Sequence, residues 1–387
     1  MSKLTTAIIF EGGQPACAVA QLMLTVRYAT CLDMIEKLKS LPHLFDRVIL
    51  ATNYPDLAKQ AEDLGVIIYP TLTEDFNFGG TLKHIISSFS IEKALYISGA
   101  GSPVMTTLEF ASIATTLNES DDLVYVNNVQ SADIVGWVPA DRLLTIESDM
   151  RDDNSLGYIL RRDGQLHRRL MTHSVGVHFD IDTPTDILMA KLLRLGGERT
   201  LAALDALPDS WNLEPYERVQ AILAQREFVP GMWMSGRIGG PVIQQINTFI
   251  LARLRVMSEE RGMKSMGKEQ QVNSFVGSFI AEAGIPAFFK YLEQSVHVAL
   301  IDTRPLFMHF KQVQTEHDRF MSDLGLWQEI EEEWIRDFTR AATECSIPVI
   351  LGGHTLILGG IWALSEDIHH KREERREENR SKRNNVE

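Results

Sequence analysis

Two carboxylates one residue apart, Asp180 and Asp182, have the type and spacing to do chemistry in this chain. They lie in the run Phe179-Asp180-Ile181-Asp182-Thr183-Pro184-Thr185-Asp186. Hard oxygen ligands of this kind suit Mg²⁺ or Mn²⁺, and a cation held there would offset phosphate charge. An equal reading of the spacing makes Asp180 a surface acid and Asp182 a support for the turn. The flanking elements decide where the pair sits. Val175 to Phe179 reads as a strand, Thr183 as an N-cap, Pro184 as the first helical position and Asp186 as a capping-box acid. The carboxylates are therefore expected at a strand's carboxyl end, where open α/β sheets bind ligands.

At 387 residues the chain exceeds one comfortable core, and two domains are expected, 1–192 and 193–368, followed by a charged tail, 369–387. With 44% hydrophobic and 23% charged residues the composition is that of an ordinary globular protein. A net charge of −14 argues against general nucleic-acid binding, which depends on Lys and Arg. Cys17, Cys31 and Cys345 show neither metal-ligand spacing nor a paired framework. The start of the chain has no signal-peptide pattern, and no apolar run is read as reaching the roughly 20 residues of a membrane span. A reducing, cytoplasmic setting without a membrane partner is the expectation.

The first half alternates strand-like segments (Thr5–Phe10, Arg47–Ala51, 65–69, Lys93–Ser98, 122–127) with helix-like ones (Ala18–Leu41, Pro55–Leu64, Thr81–Phe89, Thr107–Leu117). This rhythm means βαβ units and a mixed, mainly parallel, Rossmann-like sheet. The strand ends carry Glu11-Gly12-Gly13, Thr52-Asn53, Gly99-Ala100-Gly101-Ser102-Pro103 and Asn127-Asn128. A hairpin is expected over 157–166, with Asp163-Gly164 as its turn.

Three of these motifs, the opening strand with Gly12-Gly13, Tyr96 to Pro103, and Asp180 to Asp186, resemble those of nucleotidyltransferases with a glycosyltransferase-A-like fold. The guanylyl- and cytidylyltransferases of cofactor biosynthesis are the nearest in pattern, over about half the chain. The resemblance implies that Gly12, Gly13, Gly99 and Ser102 belong to a nucleoside triphosphate site and that Asp182, with Asp180, is a catalytic metal ligand. The chain departs from the family pattern in two places. The loop after Gly13 has no cation before Arg27, and Gly101 stands where the family has a metal-binding Asp. Gly79, Gly80 and Lys83 at a helix start are a further anion candidate, although a plain turn and a surface lysine read as the commoner origin. Glu74, Asp75 and Asp152-Asp153-Asn154 are further polar groups near the expected site.

The second half reads as helix-rich α/β. Helices are expected over 191–207, 214–227 and 242–260, with a Gly/Met/Trp-rich loop at 230–241. Two buried-strand runs, 296–304 and 347–354, would bring Asp302, Arg304 and His354 to one edge, with His317, Asp318 and Arg319 nearby. A carboxylate or phosphate could bind there; a structural ion pair and a loop histidine is the commoner arrangement. The leading functional reading is transfer of a nucleoside monophosphate from a nucleoside triphosphate to a phosphorylated small molecule, with Mg²⁺ or Mn²⁺. The alternative is a non-catalytic nucleotide- or sugar-phosphate-binding protein whose C-terminal domain regulates or binds a partner. Association with further copies of itself stays open.

Overall fold

The computed structural model describes residues 4–384 except 75, 151, 264–265 and 313–314. The chain forms two compact units. The first comprises Met1–Ile181, Leu195–Ala206 and Arg261–Glu269; the second comprises Asp182–Arg194, Leu207–Glu260 and Gln270–Glu387.

The first unit is built on seven strands: β1 (Thr5–Glu11), β2 (Phe45–Thr52), β3 (Ile67–Pro70), β4 (Ala94–Ser98), β5 (Leu123–Val126), β6 (Ile134–Val138) and β7 (Arg168–Leu170). Their order is β3-β2-β1-β4-β6-β5-β7, parallel except for β6, which runs antiparallel to both β4 and β5. This is the mixed, mainly parallel α/β sheet expected. β1 reads as a continuous apolar run because both its faces are covered. Ala7 and Ile9 join one core cluster and Ile8 another.

The helix Ala18–Lys39 supplies Cys31, Met34, Ile35 and Leu38 to the first of these cores. By length and hydropathy alone it could cross a membrane, which corrects the expectation that no segment approaches that size; 56% of its most apolar window is buried.

Two further expectations fail in this unit. Residues 156–162 are a helix, not a hairpin arm, with Leu156, Ile159 and Leu160 buried at helical spacing, and Asp163 caps it. Val175–His178 is a short helix opened by Ser174, whose side chain accepts the Val177 N–H, so the acidic run does not follow a strand.

The second unit holds β8 (Gly231–Gly236), β9 (Arg253–Ser258), β10 (Val298–Asp302) and β11 (Val349–Gly352). They form an all-parallel sheet in the order β11-β10-β8-β9. Helices supply the rest, and Phe288, Phe289, Leu292 and Phe338 fill much of a core cluster. The expected loop at 230–241 therefore contains a strand. The helix expected over 242–260 stops at Phe249, and an edge strand follows. The helix expected over 191–207 breaks at Arg194, which adopts φ 54°. The charged tail extends the helix Gly359–Asn384.

Candidate functional site

In the first unit the chain moves from β1 outward through β2 and β3, then returns to the other side of β1 with β4. The strand order reverses between β1 and β4, and the carboxyl ends of strands at such a point form the natural ligand crevice. A cleft of about 360 Å³ opens there.

One end of the cleft is backbone. Gly12 and Gly13 leave β1, with Gly13 at φ 135°, a conformation that L side chains rarely adopt. The Asn53 amide closes on this loop from the end of β2. Its Oδ1 accepts the Gly13 N–H at 2.8 Å and its Nδ2 donates to the Gly13 carbonyl at 2.9 Å. A Cβ at residue 12 would lie 2.6 Å from Asn53 Oδ1, so only glycine permits the clamp.

Arg27 is the only cation among the described residues lining the cleft, and Glu11 holds it. Glu11 is 1% exposed and accepts both Arg27 Nε at 2.9 Å and Nη2 at 3.0 Å, while Arg27 Nη1 donates to the Ile181 carbonyl. Gly99 is needed beside this pair, because a Cβ there would fall 2.3 Å from Glu11 Oε2.

The other end is aromatic and acidic. Phe10, Phe78 and Tyr96 meet edge to face, with Phe76 against Phe10. Tyr96 donates its hydroxyl to Asp153 at 2.7 Å. Burial, then Asp153, raises the Tyr96 pKa well above the ordinary phenol value, so this hydroxyl stays a donor. Asp152 lines the same end.

Of the residues singled out in the sequence, Gly12 and Gly13 line the cleft and Gly99 supports it. Others are engaged elsewhere. Gly79 N–H donates to Met150 O and Gly80 N–H to the Asn77 side chain, so the expected anion donors are taken. Lys83 donates to the Ile146 carbonyl. Ser102 is fully buried, with no hydrogen-bond partner for its hydroxyl among the described residues. A Cβ at 101 would press on Ser98, 3.0 Å from its Cβ and 3.1 Å from its carbonyl oxygen, so a larger residue there would crowd the turn. Glu74 does not line the cleft, and Asp75 lies outside the described residues.

Asp180 is buried near the end of the first unit; Asp182 begins the second and is exposed. The capping box is formed as expected, with Asp186 Oδ2 accepting the N–H groups of Asp182 and Thr183 and the Thr183 hydroxyl. Asp186 Oδ1 is buried without a hydrogen-bond partner, and burial with the neighbouring Asp182 charge pushes the Asp186 pKa up to about 8. A carboxyl with that value is mostly protonated near neutral pH, so Asp186 adds no second negative charge to the turn. No group of three or more His, Cys, Asp or Glu is gathered around a metal position among the described residues, so further ligands would come from phosphate and water.

In the second unit, β10 and β11 are neighbours and Asp302 pairs with Gly352, which puts Asp302, Arg304 and His354 near one edge of the sheet. Two ion pairs use that edge. Arg237 Nε reaches Asp302 Oδ2 at 2.7 Å, and Arg304 Nη2 reaches Asp323 Oδ2 at 2.6 Å. His354 precedes a short 3₁₀ turn. His317 meets the Glu329 carbonyl, Asp318 accepts the N–H groups of Glu331 and Glu332, and Arg319 lies over Phe320. Thr185 and Thr183 sit against Gly352 and Gly353, where a Cβ would come within 2.8 and 2.9 Å of their methyl groups. The part of the acidic turn from Asp182 to Asp186 and the Asp302 edge, separate candidates in the sequence, are thus parts of one unit.

Sequence reasoning missed the Asn53 clamp, the Glu11–Arg27 pair, and a histidine pair in which His173 Nδ1 and His178 Nε2 lie 2.6 Å apart. The one available signal was Glu11 at a buried strand end, which demands a cation.

No family model matches the chain, and no curated protein matches it. Among solved structures, it is similar to a nucleotidyl transferase from Methanothermobacter (13% identity, TM-score 0.38), over 48% of this chain and 94% of that one. A cytidylyltransferase from Leptospira borgpetersenii aligns at 12% identity and TM-score 0.37, over 52% of this chain and 93% of the other. A 4-diphosphocytidyl-2C-methyl-D-erythritol synthase from Anaerococcus prevotii aligns at 14% identity and TM-score 0.34, over 49% and 96%.

Proposed function

We propose that the first unit binds a nucleoside triphosphate and that the chain transfers its nucleoside monophosphate to a phosphorylated small molecule. The observation that carries this reading is the cleft at the β1/β4 reversal, with the Gly12–Gly13 backbone clamped by Asn53 at its mouth. In the reaction an oxygen of the acceptor phosphate attacks the α-phosphorus and pyrophosphate leaves. That oxygen is already ionised near neutral pH, so no side-chain base is required and the protein contributes position and charge.

With Arg27 committed to Glu11, the cleft has little positive charge to offer a triphosphate. Mg²⁺ or Mn²⁺ arriving with the phosphate oxygens is proposed to fill that need and would offset their charge; Asp182 with Asp180 are the proposed protein ligands, although neither is among the residues lining the cleft. Gly12 and Gly13 admit the phosphates close to the backbone, and Asn53 keeps the loop from collapsing onto the sheet.

The test is equilibrium binding of each nucleoside triphosphate, with and without Mn²⁺, to the parent protein and to Asp182→Ala. One triphosphate is expected to bind in a metal-dependent way, and Asp182→Ala, on an exposed side chain, to lose the metal dependence while keeping its melting temperature. Metal-independent binding of equal strength in both proteins would favour the ligand-binding alternative, and no binding would refute both.

A further inference from the structure

The acidic end of the first unit's cleft is not used by the transfer just described, and its chemistry is unsuited to phosphate. Asp152 lines the cleft, and its carboxylate caps nothing and has no hydrogen-bond or ion-pair partner among the described residues. Its neighbour Asp153 is committed to Tyr96, and the one lining cation among the described residues, Arg27, to Glu11. Asp152 thus shares the cleft lining with Phe10 and with Phe76, which is 45% exposed, and its carboxylate has no counter-charge among the described residues. Their ring centroids are 6.2 Å apart with planes at 66°, so the two rings meet edge to face at a corner.

We propose that this corner binds a positively charged organic amine, carried by the phosphorylated acceptor. An ammonium group gains from both features at once, the Asp152 charge and the electron-rich ring faces. A hydrated Mg²⁺ needs near-octahedral oxygen ligands and keeps its water, which phenyl walls do not replace. A neutral base or sugar satisfies hydrogen bonds but leaves the Asp152 charge uncompensated. The placement of the amine on the acceptor rests on the proposed transfer; the binding of an ammonium group by Asp152 and Phe76 does not.

The experiment is a titration of the full chain, without nucleotide, by tetramethylammonium and by methylammonium chloride, with sodium chloride at equal ionic strength and tert-butanol as the uncharged comparison. At least one ammonium ion is expected to bind, tert-butanol and sodium not, and Asp152→Asn and Phe76→Ala each to weaken binding by about tenfold. Both side chains are partly exposed, so circular dichroism should report folded variants. Tighter methylammonium binding identifies a primary amine, and tighter tetramethylammonium binding a quaternary one. Failure of both ions, or binding unchanged in Asp152→Asn, overturns the proposal. So does an Asp152-dependent response to guanosine or to Mg²⁺ alone that exceeds the response to either ammonium ion. Because no nucleotide is present, these outcomes stand apart from the triphosphate test.

Discussion

Glu11 and Arg27 set the electrostatics of the cleft more than any residue the sequence points to. A buried carboxylate that loses its cation is left with an uncompensated charge, a loss of about 3–5 kcal/mol. Arg27→Met should lower stability to denaturant by about that amount, and Glu11→Gln added to it should recover most of the loss. A double variant no more stable than Arg27→Met would show that packing, not charge, holds the pair. The histidine pair makes a pH prediction. Burial, then His173 and Arg261, lower the His178 pKa to about 4, below the ordinary 6.5. The unfolded chain therefore takes up a proton that the folded one refuses, so stability falls as pH drops from about 6.5 toward 4. His178→Gln should flatten that part of the melting-temperature profile; an unchanged slope would place the acid sensitivity elsewhere. Neither pair was legible in the sequence, since Glu11 with Arg27 and His173 with His178 are joined by folding rather than by any motif.

At the scale of elements, the strands covered on both faces were the legible part. β1, β4 and β10 carry apolar runs that no other element would bury as well. Short amphipathic pieces were not legible. Gly157-Tyr158-Ile159-Leu160 with a following Asp163-Gly164 suits a hairpin turn as well as a helix C-cap, and only the packing of Leu156 and Leu160 decides. Val175 and Val177 favour a strand locally, yet Ser174 caps a helical turn there. Of the candidate site, Gly12, Gly13 and the capping box were readable because glycine and Thr-x-x-Asp have local meaning. Lys83 misled because a carbonyl partner 63 residues away cannot be seen in sequence. Where β1 and β4 end, Gly99 makes the close approach possible. Gly99→Ala should cost about 1–3 kcal/mol by crowding Glu11 and should weaken triphosphate binding. An unchanged melting temperature would mean the strand ends can part without loss.

At the scale of the whole molecule, each unit has a sheet, mainly parallel in the first and all-parallel in the second, whose strand order reverses, between β1 and β4 in the first and between β8 and β10 in the second. Topology alone offers two crevices. Their chemistry separates them. The first has an open cleft with a glycine loop, whereas Asp302 and Arg304 in the second are engaged with Arg237 and Asp323. Amide hydrogen exchange of the full chain, with and without a nucleoside triphosphate and Mg²⁺, distinguishes these crevices most directly. Slowed exchange is expected in peptides carrying Gly12–Gly13, Asn53 and 71–78, with little change across β8 and β10. Protection confined to the Asp302–Arg304 edge, or none anywhere, would contradict it.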